Sequence, residues 1–265
     1  MAMKSWSSGM MIGPIRCAIF VGAIIILAPA FSLSYIMPPQ QILQLMEDNF
    51  SGFKSQLITQ VVETGINEEG VTSRFIKERL WIRAADGALL VKTEETVNDR
   101  KKWDYGYRLL FLSHNQAGLN RILTQLGIDI ETVGLERFDG HVAYRIGKKE
   151  PGYPKLFIDK ERLLPLFIAY FPREMDPLRW IGIRFKGYQK TDNGWYPSEI
   201  NRFENGQLIE RYSVLNLEAN KATPPSFFRS SARGSKEEGS VIEGSESPEE
   251  ERLRRIIRSF EEEYQ

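Results

Sequence analysis

The stretch PKLFIDKERLLPLFIAYF at residues 154–171, continued by WIGIRFKGY (180–188), WYPSEINRF (195–203) and LIERYSVLNL (208–217), decides the fold class. Each run is apolar, β-branched or aromatic and of strand length, and turn residues separate them. Two of the separators are Asp192-Asn193-Gly194 and Glu204-Asn205-Gly206. Asn-Gly suits a type I′ hairpin turn, whose two central residues both need φ > 0. The simplest arrangement is an antiparallel meander in which each strand bonds to the next. In Trp180–Tyr188, Ile181, Ile183 and Phe185 share one face, while Gly182, Arg184 and Lys186 share the other. That is the alternation of a sheet with one apolar face. The apolar face must be covered by the rest of the chain or left as a groove.

Upstream segments supply the cover. Pro38-Pro39 precede Gln40–Phe53, where Ile42, Leu45, Met46, Phe50 and Phe53 approximate the spacing of one helical face. Leu57–Thr64 reads as a strand, Gly65–Gly70 as a turn, and Phe75–Arg83 with Ala88–Thr93 as a hairpin about Asp86-Gly87. Lys101–Asp104 reads as a loop and Tyr107–Leu112 as a strand. Asn115–Ile128 changes period: Leu119, Ile122, Leu123 and Leu126 fall at i, i+3, i+4 and i+7, with Asn115 to cap the helix and Gly127 to end it. Thr132–Phe138 and His141–Ile146 flank Asp139-Gly140 as another hairpin.

The ends of the chain differ from this middle. Lys4 and Arg16 precede a nearly unbroken apolar run from Cys17 to Pro29, and Ala28-Pro29-Ala30 or Ser32-Leu33-Ser34 offers small residues for cleavage. Residues 1–34 therefore read as a secretory signal peptide or, if uncleaved, an N-terminal anchor. The run is shorter than the ~20 residues of a stable span. Residues 35–229 form the folded domain. Ser, Gly and Glu dominate residues 230–247, which bury too little to offset ordering entropy and read as a disordered linker. Residues 248–265 read as a short amphipathic acidic helix. Leu253, Ile256, Ile257 and Phe260 make its stripe, and Glu249–Glu251 sit where the helix dipole favours negative charge. Such a helix docks on the sheet, binds a partner, or stays solvated.

The search for chemistry returns little. Lys plus Arg and Asp plus Glu number 35 each, so the chain lacks the positive field of a nucleic-acid binder. Cys17 is the only cysteine, so a cleaved protein has no disulfide, thiol nucleophile or cysteine zinc site. His114 and His141 have no second His at helical spacing, and no Gly-x-Ser-x-Gly elbow, phosphate loop or dinucleotide fingerprint occurs. Both histidines read as turn or surface residues, and Asp159-Lys160-Glu161 as a strand end and turn. No metal or cofactor is expected. The strand aromatics read either as core or as the lining of a cavity in a curled sheet.

Four motifs together resemble the LolA/LolB-like family of periplasmic lipoprotein carriers. They are the helix followed by Phe53-Lys54-Ser55-Gln56-Leu57-Ile58-Thr59-Gln60, the Leu80-Trp81-Ile82-Arg83 strand, Pro154–Asp159 followed by Leu164-Pro165-Leu166, and the closing Asn220…Pro224-Pro225…Phe228 stretch. The resemblance covers Gln40–Phe228. It implies a mainly β fold: a strongly curved antiparallel sheet forming an unclosed β-barrel with a helical lid. It implies a periplasmic monomer that binds lipoprotein acyl chains or free lipids, with an inner-membrane exporter and an outer-membrane receptor as partners. Leu80, Ile82, Phe111, Phe167, Ile181, Ile183, Phe185 and Phe203 are then the cavity candidates. Ile42, Leu45, Met46, Leu119, Ile122, Leu123 and Leu126 are the lid candidates, and Arg83 is the candidate lid latch. Where family carriers have Arg-Pro, this chain has Arg83-Ala84.

A carrier needs no catalytic group, in keeping with the empty motif search. An acyl chain of ~16 carbons left in water costs roughly 12 kcal/mol, so it does not cross an aqueous compartment unaided. The expectation is thus a non-enzymatic carrier or chaperone moving lipids or lipoproteins toward the outer membrane. The rivals are a periplasmic sensor that binds lipoprotein and signals to a membrane partner, and a periplasmic hydrolase.

Overall fold

A computed structural model of the chain describes residues 36–66, 73–85, 88–94, 106–112, 116–172 and 179–222, together with Arg255, Arg258 and Glu262. The expected leader with Cys17, the loop at 101–104, His114, the 230–247 linker and most of 248–265 lie outside these residues.

Ten strands make one antiparallel sheet. They are β1 (Ser55–Thr64), β2 (Arg74–Ala85), β3 (Ala88–Glu94), β4 (Val133–Phe138), β5 (His141–Gly147), β6 (Lys155–Asp159), β7 (Pro165–Tyr170), β8 (Ile181–Thr191), β9 (Gly194–Glu204) and β10 (Gln207–Ala219). Their order is β3-β2-β1-β10-β9-β8-β7-β6-β5-β4. β3 and β4 are edges that pair on one side only, so the expected unclosed antiparallel barrel is what the chain forms. From β4 to β10 every strand pairs with its successor, as the hairpin signals require.

The turns follow residue chemistry. Asp139-Gly140 and Asn205-Gly206 have φ of 52°, 77°, 48° and 81°, the all-positive pattern of type I′. Asp192-Asn193-Gly194 departs from expectation. Thr191 pairs with Gly194, so the two-residue loop is Asp192-Asn193. Gly194 instead opens β9 at φ 139°, where a Cβ would lie 2.3 Å from the Asn49 carbonyl oxygen.

Three short helical elements cover one face of the sheet. Helix α1 (Pro39–Asp48) starts with proline inside its first turn, where the missing N–H costs nothing, and buries Ile42, Leu43 and Met46. Helix α2 (Gln116–Gln125) ends in a Schellman motif: Ile128 N–H donates to Leu123 O, Gly127 N–H donates to Thr124 O, and Gly127 has φ 79°. Between them lies a 3-10 helix, Gly106–Phe111, where a strand is expected from the sequence. The reason is burial on all sides. Tyr107, Arg108, Leu109, Leu110 and Phe111 are all buried, so the run never shows the alternation that separates strand from helix.

The turn after α1 is stitched to three others. Asn49 Nδ2 donates to the carbonyls of Arg162 (3.1 Å) and Leu163 (3.0 Å) in the β6–β7 turn, and Asn49 O accepts from Trp195 N–H (3.1 Å). Asn220 Nδ2 donates to Gly52 O at 2.7 Å, and its Oδ1 accepts from Lys54 N–H at 2.7 Å. Gly52 has no room for a side chain, because a Cβ there would lie 2.3 Å from the Asn193 carbonyl. The C-terminal end of α1 is therefore a fixed point of the cover. Gly52→Ala should cost about 1–3 kcal/mol by forcing two backbones apart. Urea unfolding measures this, and an unchanged midpoint would show that the turn gives way freely.

Candidate functional site

The covered face is set by strand parity. On β1, Gln56, Ile58, Gln60 and Val62 are buried, and the intervening Thr59, Val61 and Glu63 are only partly covered. Register carries this face across the sheet. Ile58 is opposite Leu80, Gln56 opposite Ile82 and Val62 opposite Tyr212. Ile200 is opposite Phe185, and Ile183 opposite Ile168. The apolar residues among these join α1, the 3-10 helix and α2 in one cluster, with Gln56 buried beside them.

Six of the eight cavity candidates lie in this cluster: Leu80, Ile82, Phe111, Ile181, Ile183 and Phe185. Phe111 comes from the 3-10 helix rather than the sheet, so it belongs to the cover. Phe167 and Phe203 do not join the others. They sit in a second cluster on the opposite face with Phe138, Phe157 and Trp180. Phe167 is opposite Arg184, whose guanidinium bridges Asp139 on that outer side. Among the lid candidates Ile42, Met46, Leu119, Ile122 and Leu123 are buried in the cover and Leu126 packs at its border. Leu45 is only partly buried and is not in that cluster. Arg83 is opposite Ser55 on the parity of Trp81, the face away from the helices.

At the centre of the site the 3-10 helix fills the concave face. The Phe111 ring lies 5.3 Å from Phe50, 4.9 Å from Phe185, 5.3 Å from Tyr196 and 6.5 Å from Tyr188, mostly edge to face. Such contacts contribute about 0.5–1.5 kcal/mol each beyond burial. The Phe111 carbonyl accepts a hydrogen bond from Gln56 Nε2.

Beside this aromatic group runs a buried polar string that the sequence reading missed. Arg108 is fully buried, with its guanidinium 5.4 Å from the ring centres of both Tyr107 and Tyr212. Its Nη2 donates to Gln60 Oε1 and its Nη1 to the Tyr196 hydroxyl, both at 3.0 Å. Gln60 Nε2 in turn donates to Glu78 Oε1 at 2.5 Å. Arg202 and Glu210 are also buried and lie 3.6 Å apart, and Tyr212 hydrogen-bonds Glu210. The signal was available, since Gln56 and Gln60 share the parity of Ile58 and Val62.

Asp159, by contrast, is occupied in its turn. Its Oδ1 accepts from the N–H groups of Glu161 (2.9 Å) and Arg162 (2.7 Å), and its Oδ2 lies 3.2 Å from His141 Nδ1. Among the described residues no group of three His, Cys, Asp or Glu is placed to hold a metal ion, and no helix is long and apolar enough to cross a membrane.

Burial pushes the Tyr188 phenol well above its ordinary value of 10.0. It also raises Tyr196, against the pull of the Arg108 charge. The Tyr188 hydroxyl donates to the Pro165 carbonyl at 2.7 Å. The folded phenols thus keep their protons where unfolded ones ionise. Their contribution to stability is complete below pH 10.0 and is lost as pH rises through the folded values. Urea midpoints should fall above pH 10.0, and Tyr188→Phe should flatten the fall. An equally steep decline in that variant would contradict the assignment.

No protein-family model matches the chain, and no curated protein matches it in sequence. Among solved structures it is similar to an outer membrane lipoprotein-sorting protein domain from Vibrio parahaemolyticus, at 12% identity and TM-score 0.47, over 72% of this chain and 96% of that one. It is similar to a LolA superfamily protein from Nitrosomonas europaea, at 9% identity and TM-score 0.46, over 73% and 98%. A third likeness is to a DUF1329 family protein from Desulfovibrio piger, at 12% identity and TM-score 0.43, over 74% and 99%.

Proposed function

We propose that the chain is a periplasmic carrier that holds acyl chains of lipoproteins or free lipids against the concave face of its sheet and moves them toward the outer membrane. One observation carries the reading: the segment Gly106–Phe111 occupies that face without belonging to the sheet. It is a plug of apolar side chains, among them Tyr107, Leu109, Leu110 and Phe111. An acyl chain offers the same apolar surface and can take its place. Ile181, Ile183 and Phe185 of β8 with Leu80 and Ile82 of β2 are the walls it would meet. The reading requires no catalytic group and no cofactor. An inner-membrane donor and an outer-membrane acceptor are the partners it needs.

The cover opens away from its fixed point. The C-terminal end of α1 is held by Asn49, Gly52 and Asn220. Movement therefore falls to the 3-10 helix and α2, and the Leu119, Ile122 and Leu123 side of the lid moves with them. A sensor that reports lipoprotein to a membrane partner would use the same plug. The buried Arg108–Gln60–Glu78 string favours that second reading, because it gives the plug a discrete seated state.

Plug and cargo compete in either case. Phe111→Leu should weaken the seated plug by about 1–1.5 kcal/mol. It should then tighten uptake of a fluorescent sixteen-carbon fatty acid about tenfold, since the competent state is more populated. Titration of the folded variant measures this. Weaker uptake would make Phe111 a fixed wall, and no uptake by either protein would remove the carrier reading.

A further inference from the structure

The plug carries a cation, and the sheet is built to receive one. Arg108 is the one charged residue of the run from Gly106 to Phe111. Side chains from three strands stand around its guanidinium: Gln60 of β1, Tyr196 of β9 and Tyr212 of β10. Gln60 Oε1 and the Tyr196 hydroxyl each accept a hydrogen bond from it at 3.0 Å, and the Tyr212 ring centre lies 5.4 Å away. Glu78 is opposite Gln60 on β2 and accepts from Gln60 Nε2 at 2.5 Å. A guanidinium only donates and a carboxylate only accepts, so these two partners fix the Gln60 amide with its oxygen toward the cation. All four sheet side chains are buried. Arg202, a second buried guanidinium, lies 3.6 Å from Glu210, so its charge is matched within its own pair. Carboxylates alone would not make a site. Here the occupant is visible, because the chain's own guanidinium stands where a ligand cation would.

On the reading proposed above cargo displaces the plug, and the present inference rests on that reading. Arg108 then leaves with Phe111. Gln60 Oε1 and the Tyr196 hydroxyl lose the donor they had, and a buried acceptor without a donor is costly. Cargo that brings donors and positive charge to this point regains what the plug gave up. A primary ammonium has three N–H donors and no acceptor, and it is drawn to the face of a tyrosine ring. A hydroxyl brings one donor and no charge. A fatty-acid carboxylate brings acceptors only and meets Glu78 as a like charge. A second polar contact of the plug does not discriminate in this way. Gln56 Nε2 donates to the Phe111 carbonyl, which any ester or amide carbonyl can replace.

We propose that the preferred cargo is an acyl lipid bearing a primary ammonium group, which takes the place of the Arg108 guanidinium between Gln60, Tyr196 and the Tyr212 ring. Displacement of a fluorescent sixteen-carbon fatty acid from the full chain tests it, with hexadecylamine, hexadecanol and palmitate as competitors at neutral pH. Hexadecylamine should bind about tenfold more tightly than hexadecanol, and palmitate more weakly than either. Glu78→Gln loosens the seated plug for every competitor alike, so the ratio of affinities is what it reads. The amine-to-alcohol ratio should fall to near unity in that variant, and the wild-type ranking stands on its own should the variant fail to fold. Phosphatidylethanolamine against phosphatidylglycerol, and a diacyl lipopeptide with a free N-terminal amine against its N-acetylated form, separate a membrane lipid from a lipoprotein as the source of the ammonium. The pair that shows the preference names the source, and a preference in neither overturns the proposal. Equal binding of amine and alcohol overturns it too, and leaves the carrier reading intact. So does tightest binding of palmitate, which would mean that Arg108 stays and receives the carboxylate. Uptake of no chain at all ends the carrier reading and this proposal with it.

Discussion

An arginine guanidinium is tolerable in an apolar interior only where acceptors and counter-charge already wait for it. Arg108 meets that condition through a sheet-borne set, Gln60, Tyr196 and the ring of Tyr212, with Glu78 behind Gln60, and through the ring of its own neighbour Tyr107. The 3-10 helix that carries Arg108 is thereby seated in one register on the concave face. Phe111 then falls among Phe50, Phe185 and Tyr196. The rest of the cover depends on this seating, because α1 and α2 pack around the inserted turn in the same apolar cluster.

Magnitudes decide whether such a plug can yield to cargo. Returning Tyr107, Leu109, Leu110 and Phe111 to water costs about 1.5–3 kcal/mol for each large apolar side chain, or on the order of 6–12 kcal/mol together. Burying a chain of ~16 carbons gains roughly 12 kcal/mol. The exchange is therefore close to balanced. A carrier needs that balance, since a cavity that held lipid far more tightly would never release it. On the proposed reading the polar string would add selectivity to the balance. Ejecting Arg108 removes a partner from Gln60 and Tyr196, so small apolar solutes gain too little to open the site.

The sheet was legible where residue type alternates along a strand or a turn demands particular residues. In β8, Ile181, Ile183 and Phe185 share the apolar face that the alternation marks and cluster with the helices, and Asp139-Gly140 and Asn205-Gly206 marked their turns by the φ values they demand. Legibility failed where both faces are buried. PLFIAY in β7 is apolar throughout, so its parity cannot be read, and Phe167 falls outward. In β9 the buried Arg202 is paired with Glu210 and its neighbour Phe203 lies in the second cluster. The 3-10 helix failed for the same reason, since a segment surrounded by core shows no period. Arg83 was placed by resemblance, and its register opposite Ser55 puts it on the far side of the sheet from the helices.

Competition between plug and cargo is the central claim, and hydrogen exchange reads it at the segment concerned. In the apo protein the Leu112 amide donates to Leu109 O, and the whole run from Tyr107 to Leu112 is buried, so exchange there should be slow. With a saturating long-chain fatty acid, amides of residues 107–112 should exchange faster while those of β8 and β9 slow or hold. Increased protection of residues 107–112 on loading would contradict the account, because cargo would then pack on a seated plug rather than replace it.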